Sequence, residues 1–426
     1  MGLLIKNGHV LNPATKVDEV LDIRVTDDKV SGMAKELTPA DGEQVIDATG
    51  CYVFPGFIDM HVHLRDPGLT HKEDIESGSR AAAHGGFTTI VAMPNTKPVA
   101  DNADVIRYVQ KKAAEVGLTH VLQVGSVTKN MAGEELSDLE EMIAAGIPAI
   151  SEDGKSVMNS NVYRDAMKIV AKAGIPVLAH CEDINLVNGG VINQGAKAEE
   201  LGVNGISNAV ENIIVARDIM LAEETGARLH LCHCSTKESV ELVRDAKAKG
   251  IAVSGEVCPH HFTLTEADIV AGDSNYKMNP PLRTQEDVDA LKQGIRDGIM
   301  EVISTDHAPH TEEEKSADLT KAPFGIVGME TVAALTYTEL VQQGFITPMG
   351  MAAAMSANPA KILGVDKGDI SVGHIADITI FDPKQTYEIH KADFVSKGKN
   401  MPYEGREVTG KVRTTILDGK VVYQDK

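Results

Sequence analysis

The chain is short of cationic charge, of cysteine and of long apolar runs, and each shortage closes off a class of function. Lys and Arg number 41 against 62 Asp and Glu, a formal net charge of -21 over 426 residues. A field of that sign repels nucleic acid and anionic lipid, so neither is expected as a partner. It also repels a small anionic substrate, so any site for one must carry its own local positive charge. The five cysteines, Cys51, Cys181, Cys232, Cys234 and Cys258, cannot form a complete disulfide set. They read as reduced thiols of an intracellular protein. No unbroken run of eighteen apolar residues occurs, so no membrane span is expected. The opening MGLLIKNGHV lacks a basic stretch followed by a long apolar one, and Lys6 stands where a myristoylation signal has Ser or Thr. A cytoplasmic location is the expectation.

Hydrophobic residues make up 42% and charged residues 24% of the chain, which argues against disorder and allows a large core. The first fifty residues read as short strands joined by turns. LLIKNGHVL carries a Lys-Asn-Gly turn signal between apolar arms, and LDIRVTDDKVSGM alternates around a polar turn. The last sixty read alike, with Asp418-Gly419 as a hairpin signal in RTTILDGKVVYQ. These ends suggest one small β domain built from both termini.

Between them the texture changes. Apolar, β-branched runs occur at CYVFPGFIDMHVH, FTTIVAMPN, THVLQVGSV, IPAISEDG, IPVLAHCED, ARLHLCHCS, IAVSGEVCPH and EVISTDHAPH. Helical stretches such as DNADVIRYVQKKAAEVG and SNVYRDAMKIVAKAG separate them, several ending in Gly. Near-continuous apolar strands alternating with helices mean parallel strands buried on both faces. Eight of them predict an α/β fold, a (β/α)8 TIM barrel with a small β-sandwich formed by both termini. The expected division is 1–52 and 366–426 for the sandwich and 53–365 for the barrel. An open doubly wound sheet is the alternative, but no glycine-rich dinucleotide loop follows the first strand.

Catalytic groups of such a barrel sit at the C-terminal ends of its strands. Those ends carry His61, His63 and Arg65, then Asn95, Asp153, His180, His233 and Asp306. His61 and His63 are two apart on a strand, so both face one way and can grip one metal ion. An isolated pair fits hydrogen-bonded strand-end histidines equally well; His180, His233 and Asp306 at other strand ends tip the balance toward a metal. Asp153 reads either as the Asp of an Asp-Gly turn or as a carboxylate bridging two metals, with Glu152 facing away. Cys232 and Cys234 flank His233, and alternation sends both to the opposite face, as buried structural thiols. Cys181 and Cys258 read the same way. His84, His120, His230, His260 and His261 read as packing or surface histidines. Arg65 can hold a carboxylate in a bidentate pair or bridge to Asp66. Asn95 and Asn279 are loop residues with turn-forming alternatives. His310 leads into TEEEKSADLTK, either a solvated loop or a mobile cover for the site.

The ordered motifs PGFIDMHVHLRDPG, MPNT, SEDG, AHCED, HLCHCST, CPHH, MNPPLR, STDHAPH and APFGIVGMET resemble dihydroorotases of the cyclic-amidohydrolase group, and among them the long bacterial class I type. The resemblance runs over nearly the whole chain. It implies zinc, two ions per chain or one, with His61, His63 and Asp306 on the first metal and His180 and His233 on the second. Asp153 aligns with the bridging position that many relatives fill with a carboxylated lysine; Lys155 lies two positions off. Arg65, Asn95, Asn279 and His310 match residues that hold the substrate, with His63 beside them, and Phe324 and Gly325 match a loop whose backbone contacts the ring. The implied reaction interconverts (S)-dihydroorotate and water with N-carbamoyl-L-aspartate in pyrimidine synthesis, with Asp306 as general base and then acid. Two Zn²⁺ and one Arg would invert the local sign of charge. A homodimer and association with aspartate carbamoyltransferase are also implied. Rival readings are a hydantoinase, dihydropyrimidinase or allantoinase, or an inactive homologue serving as a structural partner of aspartate carbamoyltransferase.

Overall fold

The structure is a computed structural model that describes residues 2–425. Strands β1 (Leu3–Asn12), β2 (Val17–Thr26), β3 (Lys29–Ala34), β4 (Gln44–Asp47) and β5 (Tyr52–Pro55) open the chain. Short strands of the middle follow: β6 (Phe57–Val62), β7 (Phe87–Ala92), β8 (His120–Gln123), β9 (Gly125–Ser126), β10 (Ile150–Ser151), β11 (Val177–Ala179) and, after a small parallel pair β12 (Ile192–Asn193) and β13 (Gly205–Ile206), β14 (Leu229–Leu231) and β15 (Val253–Val257). β16 (Val302–Ile303) ends that region, and β17 (Ile378–Glu388), β18 (Glu407–Leu417) and β19 (Lys420–Gln424) close the chain.

The two ends share one mixed sheet in the order β19-β18-β17-β5-β1-β2-β3, with β4 beside β1. The seam is the antiparallel pairing of β17 with β5, Ile378 opposite Pro55. Ile5, Val10, Ile23 and Val53 from the N-terminal strands meet Ile378, Ile380 and Ile416 from the C-terminal ones in one apolar core. This is the expected small sandwich. Asp418 and Gly419 both take positive φ, the turn that the Asp-Gly pair predicted between β18 and β19.

The expected turn inside LLIKNGHVL is corrected. β1 runs through it unbroken, and Asn7 (φ 59) and Gly8 form a bulge where the register with β2 slips. The bulge lets β1 change partner, from β4 at Leu3–Lys6 to β5 at His9–Val10. Gly8 is required there: a Cβ would lie 2.4 Å from Cγ2 of Val53.

The eight predicted parallel strands form the barrel, the third of them broken at Val124 into β8 and β9. β6, β7 and β8 pair in one run, and β9, β10, β11, β14, β15 and β16 in another. Val124 N–H donates to the Ala92 carbonyl (3.0 Å) and Gly125 N–H to that of Ala149 (3.2 Å), bridging the break. The ring closes where Val62 pairs with His307 and His63 N–H donates to the His307 carbonyl at 2.9 Å. Ile58, Val91, Leu178, Cys232 and Val302, from opposed strands, meet Ala360 and Leu363 as an apolar floor inside the barrel. The helices read from the sequence span Ala103–Val116 and Ser160–Ala173, each capped by an Asn and ended by a left-handed glycine, Gly117 and Gly174. Among the described residues no helix is long and apolar enough to cross a membrane, and the five cysteines are unpaired.

Candidate active site

At the C-terminal mouth of the barrel the strand ends bring four imidazoles and two carboxylates into contact. Asp153, following β10, is the centre. Its Oδ1 lies 3.1 Å from His61 Nε2, 3.4 Å from His180 Nδ1 and 3.6 Å from His233 Nε2, and its Oδ2 lies 3.3 Å from His63 Nε2. Asp306 Oδ1 stands 3.1 Å from His63 Nε2 and 3.5 Å from His61 Nε2. All six residues are buried. Gly154 takes φ 84, so Asp153 does leave its strand in an Asp-Gly turn, and the same turn aims its carboxylate at the histidines.

The outer ring nitrogens fix the tautomers. His61 Nδ1 donates to Glu256 Oε1 at 3.0 Å, His63 Nδ1 to Asn95 Oδ1 at 2.9 Å, and His180 Nε2 to Glu182 Oε2 at 3.2 Å. Each turns its other nitrogen into the cluster: His61 Nε2 toward Asp153, His63 Nε2 to 3.1 Å from Asp306 Oδ1, and His180 Nδ1 to 2.8 Å from His233 Nε2. His61 Nε2 and Asp153 Oδ1 stand 3.1 Å apart, both buried and neither with a hydrogen-bond partner. Such a pair is reconciled by a cation between its atoms, a proton or a metal ion, and four imidazoles with two carboxylates are a donor set that suits a divalent transition metal. His61, His63 and Asp153 form one candidate metal group, Asp153, His180 and His233 a second, and His61, His233 and Asp306 a third that overlaps both.

Charges follow from this crowding. Burial opposes charge on His61, but the carboxylates of Asp153 and Asp306 outweigh it and hold its pKa well above the ordinary value. Burial likewise opposes charge on Asp306, yet His61 and His63 hold its carboxyl down at about 2. Arg65 is lowered by burial to about 10, against the pull of Asp306 and Asp153, and stays charged at neutral pH. Burial, with Arg65 and Lys72 close by, lowers His310 to about 3 and keeps it neutral.

Three of these residues sit on strained backbone: Arg65 (φ 60), His233 (φ 34) and Asp306 (φ 46). The turn at His233 corrects the expected placement of its flanking thiols. β14 ends at Leu231, so alternation does not continue. Cys232 lies inside the barrel near His61 and Glu256, whereas Cys234 packs outward with Val240 and Val243. Both remain buried thiols, as expected.

Beside the metal groups is a cavity of about 190 Å³, lined by His63, Arg65, Asn95, Asn279, His310, Phe324 and Gly325 together with Asp153, His180, His233 and Asp306. Every predicted site residue except His61 lines it, and His61 lies directly beneath. Arg65 does not bridge to Asp66, whose carboxylate is taken by Tyr108 and Lys112; its Nε donates to the Pro309 carbonyl at 3.3 Å. Asn279 Nδ2 donates to Glu182 Oε1 at 2.9 Å. His310 Nε2 donates to the Phe324 carbonyl at 2.9 Å. Gly325 N–H is used by the Lys277 carbonyl, which leaves the Phe324 N–H as the free main-chain donor of that turn among the described residues. The segment after His310 is docked rather than solvated: Glu312–Lys315 is a helical turn, Glu314 pairs with Lys72 at 2.7 Å, and Lys315 is buried.

Sequence reasoning missed Glu256, Glu182 and Asp59. Glu256 accepts from His61, His230, Ser304 and the His233 N–H. Asp59 accepts from His61 N–H and from Thr305 through both its N–H and its hydroxyl. The available signal was an acid inside an otherwise apolar strand, at IAVSGEV and GFIDM. His230 belongs to this network, while His84 stacks on Tyr423 and His120 bonds Asp418, as packing histidines do.

A family model described as dihydro-orotase-like matches residues 50–239. The chain is 47% identical to the dihydroorotase of Pelotomaculum thermopropionicum over 426 residues, covering 100% of this chain and 99% of that one. It is also 47% identical to the dihydroorotase of Geobacter metallireducens, with 100% of both chains covered. Among solved structures, the L-hydantoinase (dihydropyrimidinase) from Arthrobacter aurescens superposes with a TM-score of 0.88 at 26% identity, over 99% of this chain and 96% of that one. The dihydropyrimidinase from Brevibacillus agri superposes at 0.86 and 26%, over 100% and 96%.

Proposed function

The chain belongs to the dihydroorotase family, and from that premise we propose how its own residues interconvert (S)-dihydroorotate and water with N-carbamoyl-L-aspartate in pyrimidine synthesis. It is a hydrolase of cyclic amide C–N bonds, and we take its His/Asp cluster, whose ligand atoms lie close enough to share an ion, as the metal site. We assign zinc, two ions per chain. His61, His63 and Asp306 would hold one and His180 and His233 the other, with Asp153 shared. Zinc, when bound, supplies Lewis acidity, making water a nucleophile at neutral pH and an amide carbonyl a better electrophile.

The protein's groups do the rest. Asp306, held ionised by its histidine neighbours, takes a proton from the attacking water and returns it to the departing ring nitrogen. Arg65 receives the ring carboxylate with Asn95 and neutral His310 beside it, and Asn279 and the Phe324–Gly325 turn close around the ring with His63. The observation that carries this reading is the cavity of about 190 Å³ with the imidazole cluster at one side and Arg65 at the other. It admits one small ring and offers an anion a cationic partner within a chain of net charge -21.

We place the sandwich in 1–52 and 366–426 and the catalytic barrel in 53–365. We also propose a cytoplasmic homodimer that is active without aspartate carbamoyltransferase. The deciding experiment is metal analysis together with dihydroorotate hydrolysis by the isolated chain. Turnover with two zinc ions per chain is expected. A metal-loaded chain that hydrolyses an uncharged hydantoin and leaves dihydroorotate untouched would reject the substrate, and inactivity until the transcarbamoylase is added would reject independence.

A further inference from the structure

Two lysines lie behind the Phe324–Gly325 turn, and neither is paired with a carboxylate among the described residues. Lys315 is buried, and its Nζ donates to three main-chain carbonyls: Pro323 (3.0 Å), Gly325 (3.1 Å) and Lys277 (3.4 Å). Lys277 is buried too. Its Nζ donates to the Leu319 carbonyl at 2.7 Å and stands 4.5 Å from the centre of the Phe324 ring. Gly325 N–H returns to the Lys277 carbonyl at 3.0 Å, so the turn at 323–325 and the turn that carries Asn279 are knotted together. The carbonyl between the two that Lys315 holds, that of Phe324, is held by His310.

An ammonium that has given up water needs an anion or several carbonyl dipoles. Here it has only the dipoles, and among the described residues no carboxylate pairs with the ammonium beside the cavity. Lys72, by contrast, is paired with Glu314 at 2.7 Å. We propose that Lys315 is a positioning residue for the anionic end of the substrate: its hydrogen bonds set the spacing of the 277–279 and 323–325 turns, and in its protonated form it adds a positive charge that complements Arg65. This deepens the reading of the same site given above and rests on it.

The test uses the full-length, metal-loaded protein. Wild-type turnover of dihydroorotate is read first, and its absence would count against the proposed function. Lys315→Met keeps the apolar stem and removes both charge and donors. Its KM for dihydroorotate is expected to rise about tenfold, the scale of losing hydrogen bonds to a charged group, with kcat within about twofold and metal content unchanged. Calorimetric affinity for N-carbamoyl-L-aspartate should weaken by the same factor, a readout independent of turnover. Lys315→Gln retains N–H donors without charge and should fold if the Met variant does not; an intermediate KM is expected. Unchanged KM and product affinity in either folded variant, or a fall in kcat at constant KM, would overturn the proposal while leaving the proposed function intact.

Discussion

At the scale of single residues, the site is a problem in lone pairs. Glu256 accepts two hydrogen bonds on each oxygen: His61 Nδ1 and the His233 N–H on Oε1, His230 Nε2 and the Ser304 hydroxyl on Oε2. Four donors on one buried carboxylate hold its pKa far below the usual range, because His230 and His61 outweigh the effect of burial. The saturation forces His61 to present Nε2 to the metal group and fixes the turn of His233. Glu256→Gln puts an NH₂ against donors and should weaken metal affinity roughly 10- to 100-fold. Competition with a chromophoric chelator measures this, and an affinity equal to wild type would show that the tautomer is set elsewhere. Arg65 stands apart from that network, so Arg65→Ala should abolish dihydroorotate turnover while elemental analysis finds normal metal content. Turnover that survives the substitution would reject its assigned role.

At the scale of elements, the loops matter more than the strands. Arg65 and Asn95 ride on neighbouring loops, and Gly68 is where these touch. Gly68 takes φ 88, and a Cβ there would lie 1.8 Å from the Lys97 carbonyl oxygen, while Lys97 N–H donates to the Pro67 carbonyl at 3.0 Å. Gly68→Ala must push the loops apart and should cost about 2 kcal/mol or more of stability. Urea unfolding reads the loss, and KM should rise with it because Arg65 moves. The turn at 312–315 gives a second, pH-dependent prediction. Burial lowers the Lys315 ammonium to about 7, Lys277 adding to the effect and Asp273 opposing it, whereas an unfolded lysine titrates near 10.4. Below about pH 7 both states hold the proton and the cost of burying it is fully present. Between about pH 7 and 10.4 the native state has released a proton that the unfolded state keeps, so this group's contribution to stability rises with pH. Wild type should therefore gain in urea midpoint over Lys315→Met across that window; a constant difference would show that Lys315 keeps its proton. Turns were also where the sequence misled. Lys6-Asn7-Gly8 carries every mark of a hairpin, but β4 and β5, distant in sequence, compete for the same strand and turn the signal into a bulge.

At the scale of the whole molecule, the alternation of apolar runs and helices was enough for the barrel, because parallel strands buried on both faces leave a pattern that few other folds share. The groups of the cluster were legible too, since strand ends concentrate them: His61 is next to last in β6, and His63, Asp153, His180, His233 and Asp306 follow within three residues of a strand's last residue. What supports them was not. Glu256 and Asp59 lie inside strands, where an isolated acid shows nothing of which donors will surround it, and Lys315 sits in a polar run that looks solvated until the 323–325 turn folds over it. The cis arrangement of Cys232 and Cys234 failed for a related reason, since alternation stops at Leu231, one residue before it was applied. The same view of the molecule yields a prediction about metal removal. The cluster joins the ends of β6, β10, β11, β14 and β16, and β6 and β16 are the strands whose ends meet at the closure between Val62 and His307. A ligand that binds only the folded state at a thousand times its dissociation constant adds about 4 kcal/mol, and here that energy would tie five strand ends across the barrel rather than one loop. Stripping the metal removes that energy, and the proton that Asp153 and Asp306 then draw onto His61 ties only those neighbouring groups. Calorimetry should show one melting transition moving to lower temperature with chelator, with activity and the original Tm both restored by zinc. A Tm that stays put after verified metal removal would mean that packing alone holds those six side chains together, and the lone-pair argument on which the metal assignment stands would be wrong.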